Sequence, residues 1–312
     1  MVGGDFFMPI MKTDVPMTPA LCEKTILEIT SRYPFCRSEL LGETAFGNPL
    51  RTLVIGNGPR KVIYSAAHHA NEWITTPVLL KFVEEFAEAL EAKGQIGGVD
   101  ANALAEIATI YTVPMVNPDG VGLVTGELQP GGLPYETAAA ISASFPEIPF
   151  PEGWKANLLG VDLNLQYPAG WLRAREIKFM QGFDRPAPRD YVGRAPLNQI
   201  ESRLLAGFTE AVDPDLVLAY HSQGEVIYWQ FEDYYVPGAQ ELGERFAQIS
   251  GYALEDTPYA SAFAGYKDWF IQNFRRPGYT IEVGTGENPL PLSQFDEIYE
   301  RNLGILITGA LG

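Results

Sequence analysis

The sequence predicts a single α/β domain over residues 1–312, with a mixed, mostly parallel twisted sheet and helices on both faces. Three observations predict it. Apolar runs of strand length alternate with amphipathic stretches along the whole chain. Turn and cap signals separate them. The 312 residues, 46% hydrophobic and 12% aromatic, are enough to bury a sizeable core.

Taken in order, Thr18-Pro19 carries the signature of an N-cap followed by a proline at the first helical position, and predicts a helix to about Tyr33. Strands at 51–55 and 61–66 follow, parted by the turn Gly56-Asn57-Gly58-Pro59. Thr76-Pro77 repeats the cap signature. Behind it Val78, Leu79, Phe82, Val83, Phe86 and Leu90 recur at helical spacing until Gly94 stops the run. Residues 107–116 read as a buried strand ending at Asn117-Pro118-Asp119-Gly120. From there the chain makes a Gly/Pro-rich surface excursion over about 121–153, in which an Ala-rich stretch (137–144) can form a short helix. The remainder predicts a helix at 197–212, strands at 215–220 and 226–230, helices at 239–249 and 266–274, a strand at 279–283 and a closing amphipathic helix at 291–308.

Composition excludes several function classes. Lys and Arg total 22 against 39 Asp and Glu, a net charge of −17, which argues against nucleic acid or an anionic membrane as the main partner. No stretch approaches 18 uninterrupted apolar residues, so no bilayer-spanning helix is expected. Cys22 and Cys36 are too few for a disulfide framework and fit buried thiols. Met1-Val2-Gly3-Gly4 has no basic leader ahead of an apolar run. Together these lead to the expectation of a cytoplasmic protein.

The chain carries three histidines: His68, His69 and His221. A mononuclear hydrolytic zinc site commonly takes two His and one Glu, with a fourth position open to water. His69 and Glu72, three apart in the turn after the strand 61–66, can aim both side chains at one point. His221 leaves a second strand at its C-terminal end, where open α/β sheets form their ligand crevices. A lone His-x-x-Glu is equally explained by a histidine near a helix start with an acidic residue in the first turn; the remote His221 raises the metal reading.

Five segments in this order resemble one family, the zinc metallocarboxypeptidases: His68-His69-Ala70-Asn71-Glu72-Trp73, Asn117-Pro118-Asp119-Gly120, Gly160-Val161-Asp162-Leu163-Asn164, His221-Ser222 and Thr280-Ile281-Glu282. The resemblance runs from about residue 38 to about residue 305. Within the family the chain is most similar to the γ-D-glutamyl-meso-diaminopimelate (γ-D-glutamyl-L-diamino acid) peptidases. The phrases HHANEWITT, HSQGEVIYW, AGYKDWF and GENPLP, which begin at His68, His221, Ala264 and Gly286, carry that closer likeness.

The resemblance implies one zinc ion on His69, Glu72 and His221, with His68 a non-ligand neighbour. It implies Glu282 as general base, Asp162 as the carboxylate that orients the first histidine, and Asn164 as a holder of the substrate's carboxylate. Tyr259 stands nearly where the family keeps a substrate-contacting tyrosine, the family spacing to Glu282 being one residue shorter.

Three departures accompany these matches. The arginine that clamps a C-terminal carboxylate is Leu165, the arginine within His-x-x-Glu is Asn71, and the oxyanion arginine upstream of Gly160 is replaced by Leu158 or Leu159. Leucine donates no hydrogen bond, so trimming of ordinary L-peptides is not expected. A cation elsewhere must take over; Lys155, Lys267, Arg275 and Arg276 are the candidates, Lys267 foremost. The implied activity is hydrolysis of the γ-D-glutamyl–diamino acid amide in peptidoglycan stem peptides, on muropeptides recycled inside the cell. The alternatives are a carboxypeptidase or amidase acting on other acyl substrates, or a catalytically silent zinc-binding sensor of wall fragments. An intact Glu282 weighs against the sensor, because a pure binder needs no general base.

Overall fold

Strand parity organises the fold. The computed structural model of the chain describes residues 8–312. It begins with α1 (Pro19–Arg32), where the Thr18 side chain accepts from the Leu21 amide and a proline occupies the first turn. Then come β1 (Arg37–Glu43), β2 (Pro49–Gly56) and β3 (Arg60–Ala66), and, after the turn that carries His68 to Glu72, α2 (Thr75–Glu91). A small hairpin, β4 (Gln95–Ile96) and β5 (Val99–Asp100), leads into α3 (Ala101–Ile107) and β6 (Ala108–Val113). The middle of the chain carries α4 (Pro118–Val124), α5 (Leu133–Ser142), α6 (Trp171–Met180) and α7 (Ile200–Val212). The last part runs β7 (Leu216–His221), β8 (Val226–Tyr228), α8 (Ala239–Ser250), β9 (Ala253–Glu255), α9 (Tyr266–Phe274), β10 (Gly278–Glu282) and α10 (Phe295–Leu311).

Eight strands form one sheet in the order β1-β2-β6-β3-β7-β10-β8-β9. The central four, β6, β3, β7 and β10, are mutually parallel; β2 and β8 join their flanks antiparallel. The predicted mixed, mostly parallel sheet is therefore what forms. Along β7, Leu216, Leu218 and Tyr220 enter the core shared with α2 and α10, while Val217 and Ala219 enter the core shared with α7 and α9. Along β10, Tyr279 and Ile281 point to the first of these layers. A period of two then places His221 and Glu282 on the opposite face. The parallel register pairs them directly at the C-terminal strand ends.

Three predicted elements shift. The strand expected at 107–116 runs only over 108–113: Ile107 closes a helix capped by Asp100, and Pro114, with no N–H to donate, follows the last strand residue. Asn117-Pro118, expected to be a plain turn, starts α4: the Asn117 side chain accepts from the Gly120 amide and Pro118 needs no donor in the first turn. The excursion over 121–153 carries α5 at 133–142, and its Ala138 and Leu123 pack with the fully buried Trp154 beneath Ala70.

Candidate metal centre

The turn after β3 is locked before any ligand is considered. Ala67 adopts φ 51°, in the left-handed region. Its amide donates to Thr75 Oγ1 at 3.0 Å, and that hydroxyl donates to the Glu72 carbonyl at 2.7 Å. Asn117 Nδ2 donates to the carbonyls of His68 (3.2 Å) and Ala156 (3.0 Å), and the Ala70 amide donates to the Lys155 carbonyl at 3.0 Å. A Cβ on Gly120 would meet the Ala156 carbonyl oxygen at 2.6 Å and Ala70 Cβ at 2.8 Å, so only glycine lets these loops close. The motif Asn117-Pro118-Asp119-Gly120 thus fastens the His69 turn to the Lys155 loop, a role its spacing alone did not disclose.

On this frame His69, Glu72 and His221 bring their ligand atoms within 4.8 Å of one another. His69 Nδ1 lies 2.9 Å from Glu72 Oε1 and 3.2 Å from His221 Nδ1, and His221 Nδ1 lies 2.9 Å from Glu72 Oε2. Two nitrogens on a tetrahedral zinc, each at ordinary bond length, stand about 3.3 Å apart, so the pair is spaced as a metal would hold it. The Ser222 amide donates to Glu72 Oε2 at 3.2 Å. His69 Nε2 lies 3.1 Å from Asp162 Oδ1 and donates to it. That fixes the ring and leaves Nδ1 facing the cluster.

The electrostatics also fit a cation. Burial opposes charge on Glu72, yet His69 and Lys155 hold its carboxyl well below the usual range. Burial likewise opposes charge on His69, but Glu72 and Asp162 raise it to about 9. Lys155 Nζ, 3.0 Å from Glu72 Oε1, presses a second positive charge onto the same carboxylate. Burial keeps His221 below its ordinary value, hence neutral and able to give a lone pair. Two imidazoles and a carboxylate that draw positive charge in this way are a fitting donor set for zinc. His68 stays apart: it is fully buried, with Nε2 3.3 Å from the Tyr167 hydroxyl.

Glu282 borders the cluster. Burial and the negative Glu72 push its carboxyl up to about 8, with Lys155 and His69 pulling the other way. Two cavities, of about 200 and about 690 Å³, meet here and share His69, Lys155, Arg189, Tyr228 and Glu282 as walls. Asn164, Lys267 and Asp162 line the smaller one. Asn164 Oδ1 accepts from the Tyr266 amide at 3.0 Å, and its Nδ2 has no hydrogen bond among the described residues. Tyr259 is 58% exposed; its hydroxyl accepts from Arg173 Nε at 2.7 Å, and of its neighbours Pro258 and Ser261 line the cavity. Arg275 lies over the Tyr234 ring and Arg276 pairs with Asp213, so neither of these candidate cations reaches the cleft. Arg189 does reach it, and sequence reasoning missed it. It follows Pro186-Ala187-Pro188, a stretch with no periodicity, and only its three-dimensional neighbours mark it out.

Comparison with known proteins agrees with this geometry. The zinc carboxypeptidase family profile matches residues 22–304. Gamma-D-glutamyl-L-diamino acid endopeptidase 1 of Lysinibacillus sphaericus is 43% identical over 287 residues, which is 91% of this chain and 69% of that protein. Bovine thrombin-activatable fibrinolysis inhibitor, solved in complex with tick carboxypeptidase inhibitor, superposes with a TM-score of 0.71 at 17% identity, covering 96% of this chain and 97% of the other. The murein-tripeptide amidase of Escherichia coli O157 does so with a TM-score of 0.52 at 18% identity, covering 87% and 91%. At those identities the two solved structures speak for the fold. With the profile match across nearly the whole chain and a ligand set spaced for one cation, the protein belongs to the zinc carboxypeptidase family.

Proposed function

We propose that the chain hydrolyses the amide between γ-D-glutamate and a diamino acid in peptidoglycan stem peptides. The observation that carries this reading is the convergence of His69, Glu72 and His221 beside Glu282, in a chain 43% identical to an endopeptidase named for that bond. Zinc, when bound, supplies a Lewis acid and lowers the pKa of its water towards neutrality. The remaining work falls to the chain. Asp162 holds the His69 ring in one tautomer and orientation. Glu282 takes a proton from the attacking water and returns it to the departing amine. A positive ion beside Glu282 opposes the burial that raises its pKa, and so favours the charged base. Lys155, whose ammonium lies 3.0 Å from Glu72, would donate to the scissile carbonyl oxygen as negative charge gathers there. That assigns it the task of the missing oxyanion arginine.

Asn164 belongs to substrate binding in this reading because it lines the cavity; Lys267 lines it too, as a wall residue whose ammonium is engaged by Gln230, Thr257 and Asp268. Tyr259 would have to exchange Arg173 for substrate. Among the described residues no helix is long and apolar enough to cross a membrane, and Cys22 and Cys36 are free and buried. The two thiols favour a reducing, cytoplasmic setting.

The test is incubation of the zinc-loaded protein with L-Ala-γ-D-Glu-meso-diaminopimelate beside hippuryl-type L-peptides. Release of free diaminopimelate, lost in Glu282→Gln, is the expected result. Cleavage of the L-peptides alone contradicts the proposed specificity, and binding without turnover by the unaltered protein contradicts the hydrolase.

A further inference from the structure

We infer that Arg189 reads a carboxylate of the substrate next to the scissile amide, in place of the clamp that Leu165 cannot form; this rests on the functional reading above. The bond in question is flanked by carboxylates on both sides, the α-carboxylate of the γ-linked glutamate and that of the diamino acid. Bringing either into a cleft that already holds Glu72, Asp162 and Glu282 requires an uncommitted cation.

Accounting for the cleft's cations leaves one. Lys178 is 8% exposed at its side chain and sits 2.6 Å from Asp190 Oδ1. Lys267, 4% exposed at its side chain, donates to the Gln230 carbonyl at 2.6 Å and to Thr257 Oγ1 at 3.4 Å, and its charge is paired with Asp268 at 2.6 Å. Lys155 is engaged with Glu72. Arg189 uses only its Nε, which donates to Asp190 Oδ2 at 2.6 Å; neither Nη group has a partner among the described residues. The free end of a guanidinium is a two-pronged donor matched to a carboxylate.

The fork is also held ready. The Pro188 carbonyl accepts from the Lys155 and Ala156 amides at 2.8 and 2.9 Å, and the Asp190 amide donates to Asp162 Oδ2 at 3.3 Å. Both neighbours of Arg189 are thereby fastened to the loops that build the metal centre. Asp190 itself adopts φ 65°, a left-handed conformation that a non-glycine residue keeps only where its surroundings impose it. Preset in this way, the backbone that carries the side chain gives up little freedom when Arg189 binds. Arg189 borders both cavities, which makes it a candidate partner for a carboxylate on either side of the bond.

Three substrates and two variants decide the matter, all with the zinc-loaded full chain. The substrates are L-Ala-γ-D-Glu-meso-diaminopimelate, the same peptide with D-isoglutamine, and the same peptide with the diamino acid's α-carboxamide. For the unaltered protein, amidating the recognised carboxylate raises KM about 10- to 100-fold, while amidating the other has little effect. Arg189→Met raises KM for the parent peptide by a similar factor with kcat within about threefold, and abolishes the penalty for that one amide. Arg189→Lys, with charge but no fork, falls between. The amide whose penalty disappears identifies the carboxylate. An unchanged KM in both variants, or a rise equal for acid and both amides, overturns the assignment while leaving the hydrolase standing. No turnover of any of the three by the unaltered protein overturns the functional reading and this assignment with it.

Discussion

At the scale of residues, the centre is a set of charges that hold one another. Against burial, Glu72 and Asp162 raise His69 to about 9, and His69 and Lys155 hold Glu72 low. The candidate ligands were legible because zinc restricts donors to few residue types, three histidines left few choices, and the family resemblance pointed to His69 over His68. Arg189 was not, since nothing in Pro188-Arg189-Asp190 marks a side chain with two free prongs. Nothing in the sequence sets Lys155 above Lys267, Arg275 or Arg276; its ammonium 3.0 Å from Glu72 Oε1 does. If it steadies the oxyanion, Lys155→Met lowers kcat by about 10²–10³ with KM and zinc content near normal, and Lys155→Arg recovers part of the loss. Steady-state kinetics with metal analysis checks this; a variant that lost its zinc in proportion to its activity would show a structural role instead.

At the scale of elements, cap chemistry made α1 legible, and the apolar period made α2 legible. Both announce themselves within a few residues. β1 escaped notice because Arg37–Glu43 is an edge strand with little burial and no alternation. α6 escaped because it follows the Gly/Pro-rich stretch and buries only part of one face. The Asn117 tether was hidden for a different reason: its partners, the carbonyls of His68 and Ala156, lie 49 and 39 residues away in the chain. Asn117→Ala leaves those buried carbonyls without their donor and uncaps α4, so we expect a loss of about 1–3 kcal/mol in stability and weaker zinc binding. Urea unfolding and a competitive chelator titration measure the two. Unchanged zinc affinity would show that the tether does not preset the ligand turn.

At the scale of the whole molecule, two apolar layers hold a parallel core of four strands, and the reactive groups gather at its C-terminal edge because β3, β7 and β10 all end there. The alternation of elements made that layout readable from sequence; the edge strands β1 and β9 came only with the structure. Global stability carries a pH signature from α7. Burial raises Glu201 from its ordinary 4.5 to about 7, aided by the charge of Asp119 and opposed by Asn157. Between those values the folded form binds more protons than the unfolded one, so Glu201 lowers stability as pH rises from about 4.5 to about 7, and its full penalty persists above that. A shift of this size corresponds to up to about 3 kcal/mol. Glu201→Gln, which keeps the shape, is expected to gain stability at pH 8 relative to the unaltered protein and little at pH 5. Equal differences at the two pH values would contradict the assignment.

The most direct measurement is anomalous diffraction at the zinc edge from crystals of the metal-loaded chain. The account predicts one ion per chain, bonded to His69 Nδ1, Glu72 and His221 Nδ1, with Glu282 facing its open side. An ion bound at other residues, or rings of His69 and His221 turned away from each other with no density between them, would contradict it.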